Sequence, residues 1–272
     1  MIKDIDDSLI AKTGITINEQ NEIIISDENA FAGSIDNIIL IFELISRFDC
    51  KINESHIYGG VPSCGDYDLK MFLDYLRTLV EYDLPGIDKG FIFLKKIGFL
   101  KKIMPEIDAL EEIKQSEKHH AEGNVWNHTL IVVKNILKNK ENRFIYLISA
   151  LYHDIGKLET TFWNDEKNTY CSYDHENIGA HRLNYYLKGL VPNKDYNQIY
   201  CLVKSHMLDP QKFKSLTCKE KARIFYNYSV NWKMVMDLRL ADRLGRISDD
   251  LEIDLENHRK SIERLKRLGI YE

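Results

Sequence analysis

The chain is predicted to be all-α. Three observations predict it: apolar residues recur at three- and four-residue spacing in ten segments, only 5 prolines occur in 272 residues, and alternating apolar/polar runs are few. In order, the segments are 35–48, 67–82, 90–103, 124–138, 142–155, 176–189, 195–206, 218–229, 231–243 and 251–267. The first holds the apolar run IILIFELI and the second reads FLDYLRTLVEY, with the third following at 90–103. The fourth is NVWNHTLIVVKNILKN and the fifth RFIYLISALYHDIGK; a polar loop then leads into the sixth, YDHENIGAHR. The seventh is DYNQIYCLVKSHM, the ninth VNWKMVMDLRLAD, and segments 218–229 and 251–267 keep the same spacing. The stretch ITINEQNEIIIS near residues 15–26 reads as a hairpin. A weak break at 112–124, polar and glycine-containing, divides an accessory, mostly helical region (1–115) from a second region (116–272).

An apolar fraction of 44% and a charged fraction of 29% are ordinary for a globular protein long enough to bury a core. The net charge of −5 argues against a molecule that binds nucleic acid by overall charge. Local charge is uneven: residues 1–37 carry 8 acidic and 2 basic side chains, and residues 212–246 carry 9 basic and 3 acidic. That basic stretch suits either phosphate contact or a solvated helical face. Five scattered cysteines without a CxxC indicate neither a disulfide framework nor a thiolate zinc site. The acidic start is not that of a signal peptide, and the longest apolar run is too short to span a bilayer. A reduced, cytoplasmic protein is expected, with no membrane partner.

The pair His153-Asp154 ends the apolar run IYLISALYHDIGK, where a buried carboxylate is costly unless paired or metal-bound. His128 stands 25 positions upstream. The connecting turn, 138–142, lies midway between them, so two helices packed antiparallel across it place each residue about 18 Å from the turn and level with each other. His206 and Asp242 also fall at helix ends, and His175 opens a helix. Singly, each reads best as a surface or satisfied core group. Together, His128, His153, Asp154 and Asp242 form the imidazole–carboxylate set of a divalent transition-metal site, which points to a metal-dependent phosphohydrolase. Lys157, one turn beyond the doublet, is placed either to offset phosphoryl charge or simply to end a helix; Gly156 suits a helix C-cap and brings backbone close to the site. The fragment GGVPSCGDYD at 59–68 superficially matches a nucleotidyltransferase glycine turn with an Asp-x-Asp, but its acids follow too soon, so a loop and helix N-cap is the reading adopted.

The ordered His…His-Asp…Asp set resembles that of the HD-domain metal-dependent phosphohydrolases. MPEIDAL, AEGNVWNHTL, HDIGK, YDHENIGA, VKSHM and ADRLGR are similar to the HD domain attached to bacterial tRNA nucleotidyltransferases, over roughly residues 93–247. The resemblance implies an HD-domain helical bundle over 116–272, with His128, His153, Asp154 and Asp242 holding a first metal. It implies that His175 and His206 are additional ligands where two ions bind. On the chemistry of the residues, Asp154, able to bridge two ions and position the hydroxide, and Lys157 are expected to serve catalysis. It also implies His120 near the site entrance, although Ala121 stands where the family has proline. The polymerase motifs of the full-length enzymes are not found in the first 90 residues, and the motifs of alarmone hydrolases and of HD-GYP phosphodiesterases are missing too. The expected cofactor is one or two ions of Mn, Fe, Co, Ni or Zn. The expected substrate is a phosphomonoester or phosphodiester of a nucleotide or RNA end, such as a 2′,3′-cyclic phosphate, cleaved by metal-activated water. The competing reading is a non-catalytic RNA- or nucleotide-binding regulator that keeps the metal for structure, with 212–246 as its surface. A homodimer is one role open to residues 1–90.

Overall fold

The structure, a computed structural model, describes residues 14–25, 35–53, 67–116, 120–139, 141–212, 225–246 and 251–271. It is helical, with two small sheets, and divides into two compact units, Met1–Pro105 and Glu106–Glu272.

In the first unit, β1 (Ile15–Ile17) pairs antiparallel with β2 (Glu22–Ile25), the hairpin expected from the sequence. Strand β3 (Lys51–Ile52) adds to β2 in parallel after helix α1 (Ile35–Phe48). Helix α2 (Leu69–Leu79) starts at Asp68, whose carboxylate accepts from the Met71 amide at 2.9 Å. The N-cap reading of that aspartate is therefore observed, while residues 59–66 lie outside the described residues. The predicted helix 90–103 is two helices, α3 (Ile87–Lys96) and α4 (Phe99–Ile103). Between them Gly98 adopts φ 77°, a left-handed conformation that favours glycine and interrupts the helix. Buried Phe42, Phe72, Phe91 and Phe99 form the aromatic core, with Phe42 and Phe91 centroids 5.4 Å apart.

The second unit carries the predicted site. Helix α5 (Pro105–Asp108) and a 3-10 turn (Ala109–Glu112) lead to α6 (Val125–Ile136), which Asn124 caps by accepting from Asn127 N at 2.9 Å. Helix α7 (Arg143–Tyr152) packs against α6 across the short connection between them. Next come α8 (Lys157–Thr160), the antiparallel strands β4 (Thr161–Asn164) and β5 (Thr169–Ser172), α9 (His175–Tyr186) and α10 (Asn193–Ser205). Helix α11 (Trp232–Leu244), capped by Asn231, packs on α6, and α12 (Leu251–Arg267) packs on α11. Of the predicted helix 218–229, only the part from Phe225 falls among the described residues.

Two local expectations change. The polar loop expected before His175 is a hairpin: residues of high β propensity, Thr-Phe-Trp and Thr-Tyr-Cys, flank the turn Asp165–Asn168. Gly156 is not a left-handed C-cap, since its φ is −65°. It is needed for close approach instead: a side chain there would run into the His175 carbonyl and the Gly179 backbone, so two glycines let α8 and α9 touch. Among the described residues no helix is long and apolar enough to cross a membrane.

Candidate metal centre

Six residues singled out in the sequence, His128, His153, Asp154, His175, His206 and Asp242, converge in the second unit and all are buried. His128 lies in the first turn of α6 and His153 directly follows α7; their Nε2 atoms approach within 3.3 Å, as the antiparallel pairing requires. Asp242, near the end of α11, places Oδ1 3.0 Å from His128 Nε2. His175 opens α9 and His206 follows α10, and their Nε2 atoms also lie 3.3 Å apart. Asp154 stands between the two histidine pairs. Its Oδ2 is 3.3 Å from His153 and 3.7 Å from His128, while its Oδ1 is 3.2 Å from His175 and 3.9 Å from His206.

One local device aims three of these rings. His153, His175 and His206 each direct Nδ1 at the carbonyl three residues back, Ala150 at 2.8 Å, Ser172 at 2.9 Å and Val203 at 2.7 Å. At the ends of α7 and α10 this also satisfies a terminal helix carbonyl. A ring that donates from Nδ1 presents, when neutral, a bare lone pair at Nε2. The clusters His128/His153/Asp242 and Asp154/His175/His206 therefore turn lone pairs and carboxylate oxygens on one another, all within 4.8 Å in each cluster. Such an arrangement is repulsive unless protons or a cation lie among the donors.

The titration behaviour agrees with that reading. Burial alone would lower His128, but the Asp242 and Glu122 carboxylates outweigh it and raise the ring to about 9. Burial likewise lowers His175, and Asp154 raises it overall. Burial, reinforced by His153 and His175, pushes His206 down to about 3. Burial would raise Asp154, yet Lys157 and then His153 hold it well below the usual carboxylate range. Asp242 is held low in the same way, against burial, by Arg246 and His128. Without metal, a proton on His128 meets part of the demand for positive charge; a divalent ion would displace it. The residues present fit such an ion.

Lys157 is buried at the first position of α8, so the helix-ending role does not apply to it. Its ammonium lies 2.7 Å from Asp154 Oδ2 and 2.7 Å from Gln115 Oε1. Arg246, one turn after Asp242, lies 3.3 Å from that carboxylate. Both cations line a cavity of about 210 Å³ that opens on Asp154, His175, His206 and Asp242. Sequence reasoning counted Arg246 only as part of a basic stretch, although its i+4 spacing from Asp242 was a usable signal. It also passed over Glu122, whose side chain is 2% exposed. Glu122 Oε1 lies 2.6 Å from His120 Nδ1 and 3.2 Å from His128 Nδ1, the latter an electrostatic contact rather than an aligned hydrogen bond. Arg182 and Arg243 do not join the centre: Arg182 forms a two-pronged pair with exposed Glu159, and Arg243 pairs with Asp254 at 3.0 Å.

No family model matches the chain. Curated relatives share the name Multifunctional CCA protein. That of Actinobacillus pleuropneumoniae serotype 5b is 37% identical over 86 residues, covering 30% of this chain and 21% of the relative. Those of Herminiimonas arsenicoxydans (26% identical, covering 58% of this chain and 39% of the relative) and Pasteurella multocida (24% identical, covering 65% and 43%) match over longer stretches. The chain thus spans less than half the length of these relatives. The likeness relates it to the tRNA nucleotidyltransferase group at modest identity and partial coverage. It also corrects the expected activity. The relatives' name is that of enzymes of nucleotidyl transfer, not phosphohydrolysis. The physical reason is that histidines and carboxylates around a cation specify where a phosphate can bind; they do not choose the nucleophile.

Proposed function

We propose that the chain is a metal-dependent enzyme, related to the Multifunctional CCA proteins, that acts on the end of an RNA. In this reading residues 116–272 form an HD-type domain. His128, His153, Asp154 and Asp242 hold one ion of Mn, Fe, Co, Ni or Zn, and Asp154, His175 and His206 hold a second. The observation that carries the reading is Asp154 between two histidine pairs, with one carboxylate oxygen toward each. Imidazole nitrogens mixed with carboxylates suit these ions better than magnesium. When bound, a divalent ion supplies a positive centre that polarises a phosphoryl oxygen.

The chain's own residues do the rest. Lys157 and Arg246 line the cavity beside the clusters and set two fixed positive charges where the phosphate of an RNA end would lie. Both are buried or nearly so, which strengthens their attraction for phosphate relative to surface cations. Gln115 holds the Lys157 ammonium in place through its side-chain oxygen. The three rings tied to carbonyls are pre-oriented, so little ordering is required when the ion enters.

The test is to incubate the manganese-loaded 272-residue chain with tRNAs ending before and after the CCA triplet, with and without nucleoside triphosphates, and to measure the 3′-terminal mass. A metal-dependent change in that mass, lost in Asp154→Ala, is expected. The absence of both RNA binding and any metal-dependent change at the RNA end would overturn the reading.

A further inference from the structure

Beside the metal centre lies a second and larger groove, of about 1020 Å³, that none of the chemistry above uses. One wall is a face of the β4–β5 hairpin. Trp163 and Tyr170 are register partners on that face, with ring centroids 5.1 Å apart in an edge-to-face arrangement. Trp163 is 47% exposed, although a tryptophan is costly to leave in water. The same face continues two residues along to Ser172, and Tyr170 and Ser172 line the metal-site cavity. Gln115 and Ser116 also line both spaces, so groove and metal centre are contiguous.

Charge separates the two spaces. The metal-site cavity sets the cations Lys157 and Arg246 against Asp154 and Asp242, so the excess positive charge that would draw a phosphate there is that of the bound ion. The groove carries Glu111 and Glu112 against Lys114 and Lys167, so its charges cancel. A second phosphate gains nothing there, whereas a neutral, flat, polar-edged group gains an aromatic wall, carboxylates that accept from exocyclic amines, and amide groups. Gln115 adds a donor: its Nε2 is buried and has no hydrogen-bond partner among the described residues, while its oxygen is taken by Lys157.

We infer that this groove is a nucleobase subsite, in which Trp163 and Tyr170 stack an unpaired base whose phosphate occupies the metal centre. The inference rests on the RNA-end reading of that centre and adds to it the part of the substrate that is recognised: one splayed, unpaired nucleotide rather than a duplex. Stacking of this kind tolerates sequence, because every base has a π-face.

Intrinsic fluorescence reads the subsite directly. Of the 3 tryptophans, Trp126 and Trp232 are buried, so Trp163 is the exposed reporter. The manganese-loaded 272-residue chain is titrated with cytidine 5′-monophosphate and, separately, with ribose 5-phosphate, which has the phosphate but no base. The expected result is that the nucleotide quenches Trp163 and binds about tenfold or more tighter than the sugar phosphate. Trp163→Ala then removes that advantage without changing sugar-phosphate binding, and Trp163→Phe, which keeps a stacking ring, retains most of it. Equal binding of the two probes, unquenched and insensitive to Trp163→Ala, would overturn the subsite and leave the metal-centre reading standing. Failure of both probes to bind the metal-loaded chain would overturn both.

Discussion

Replacing Asp154 by asparagine probes the residue on which both clusters depend. The substitution keeps shape and volume but turns one anionic oxygen into an amide nitrogen. Both clusters lose the negative charge, and whichever way the amide lies one of them also loses an oxygen ligand, at 3.3 Å from His153 or 3.2 Å from His175. Loss of groups merely supporting a metal ligand costs about 10–100-fold in metal affinity, so loss of a shared carboxylate costs at least about 100-fold. At a metal concentration of about 100 times the wild-type Kd, binding stabilises the wild type by roughly 2.7 kcal/mol. The same concentration equals the variant's Kd and stabilises it by only about 0.4 kcal/mol. For a domain of this size, 1 kcal/mol corresponds to roughly 2–4 °C in Tm, so the metal-induced shift falls from about 5–11 °C to about 1–2 °C. Thermal melts of chelated and manganese-loaded protein measure it, with near-UV circular dichroism confirming that the variant is folded. A variant that keeps the full wild-type shift refutes the placing of Asp154 between two ions.

Glu122→Ala removes the carboxylate beside His128 Nδ1 and is expected to weaken manganese binding about tenfold by chelator competition, Glu122→Gln less so; unchanged affinity in both contradicts a supporting role. Gly156→Ala forces α8 away from α9 and is expected to cost roughly 1–3 kcal/mol in urea unfolding, so a neutral result contradicts the tight approach inferred at Gly179. His258 on α12 is held below its ordinary value by burial and then by Arg239. A lowered histidine contributes stability that is complete above about pH 6.5 and lost as pH falls toward its folded value. In metal-free protein His258→Gln should therefore flatten the fall of Tm below pH 6.5, and an unchanged slope refutes the neutral buried ring.

Much of the centre was legible in the sequence because helices convert spacing into position. The 25-residue separation of His128 and His153 about a central turn places two side chains at one level, and they meet at 3.3 Å. Asp68 was readable as a cap because the physics of a helix N-terminus is local. Gly156 was legible only in part, its closeness to the site but not its cause, for the opposite reason. Its role depends on α9, which lies elsewhere in the sequence, and no neighbour of Gly156 signals the approach of the His175 carbonyl. The hairpin carrying Trp163 and Tyr170 was read as loop because its strands are 4 residues each, too short for alternation to stand out from polar surroundings. Glu122 was passed over because a carboxylate shows its value only when burial brings it beside a ring, as here beside His120 and His128. The reaction itself was misassigned because a ligand set narrows the class of cation and leaves the nucleophile open.

Metal content tests the centre most directly. The 272-residue chain purified after exposure to manganese, iron or zinc and dialysed free of excess ion should retain one to two equivalents per chain by elemental analysis. His153→Ala and Asp154→Ala should lose that metal while keeping the wild-type far-UV spectrum. A folded wild-type chain that retains only trace metal, or variants that retain as much as wild type, would contradict a metal centre at these residues.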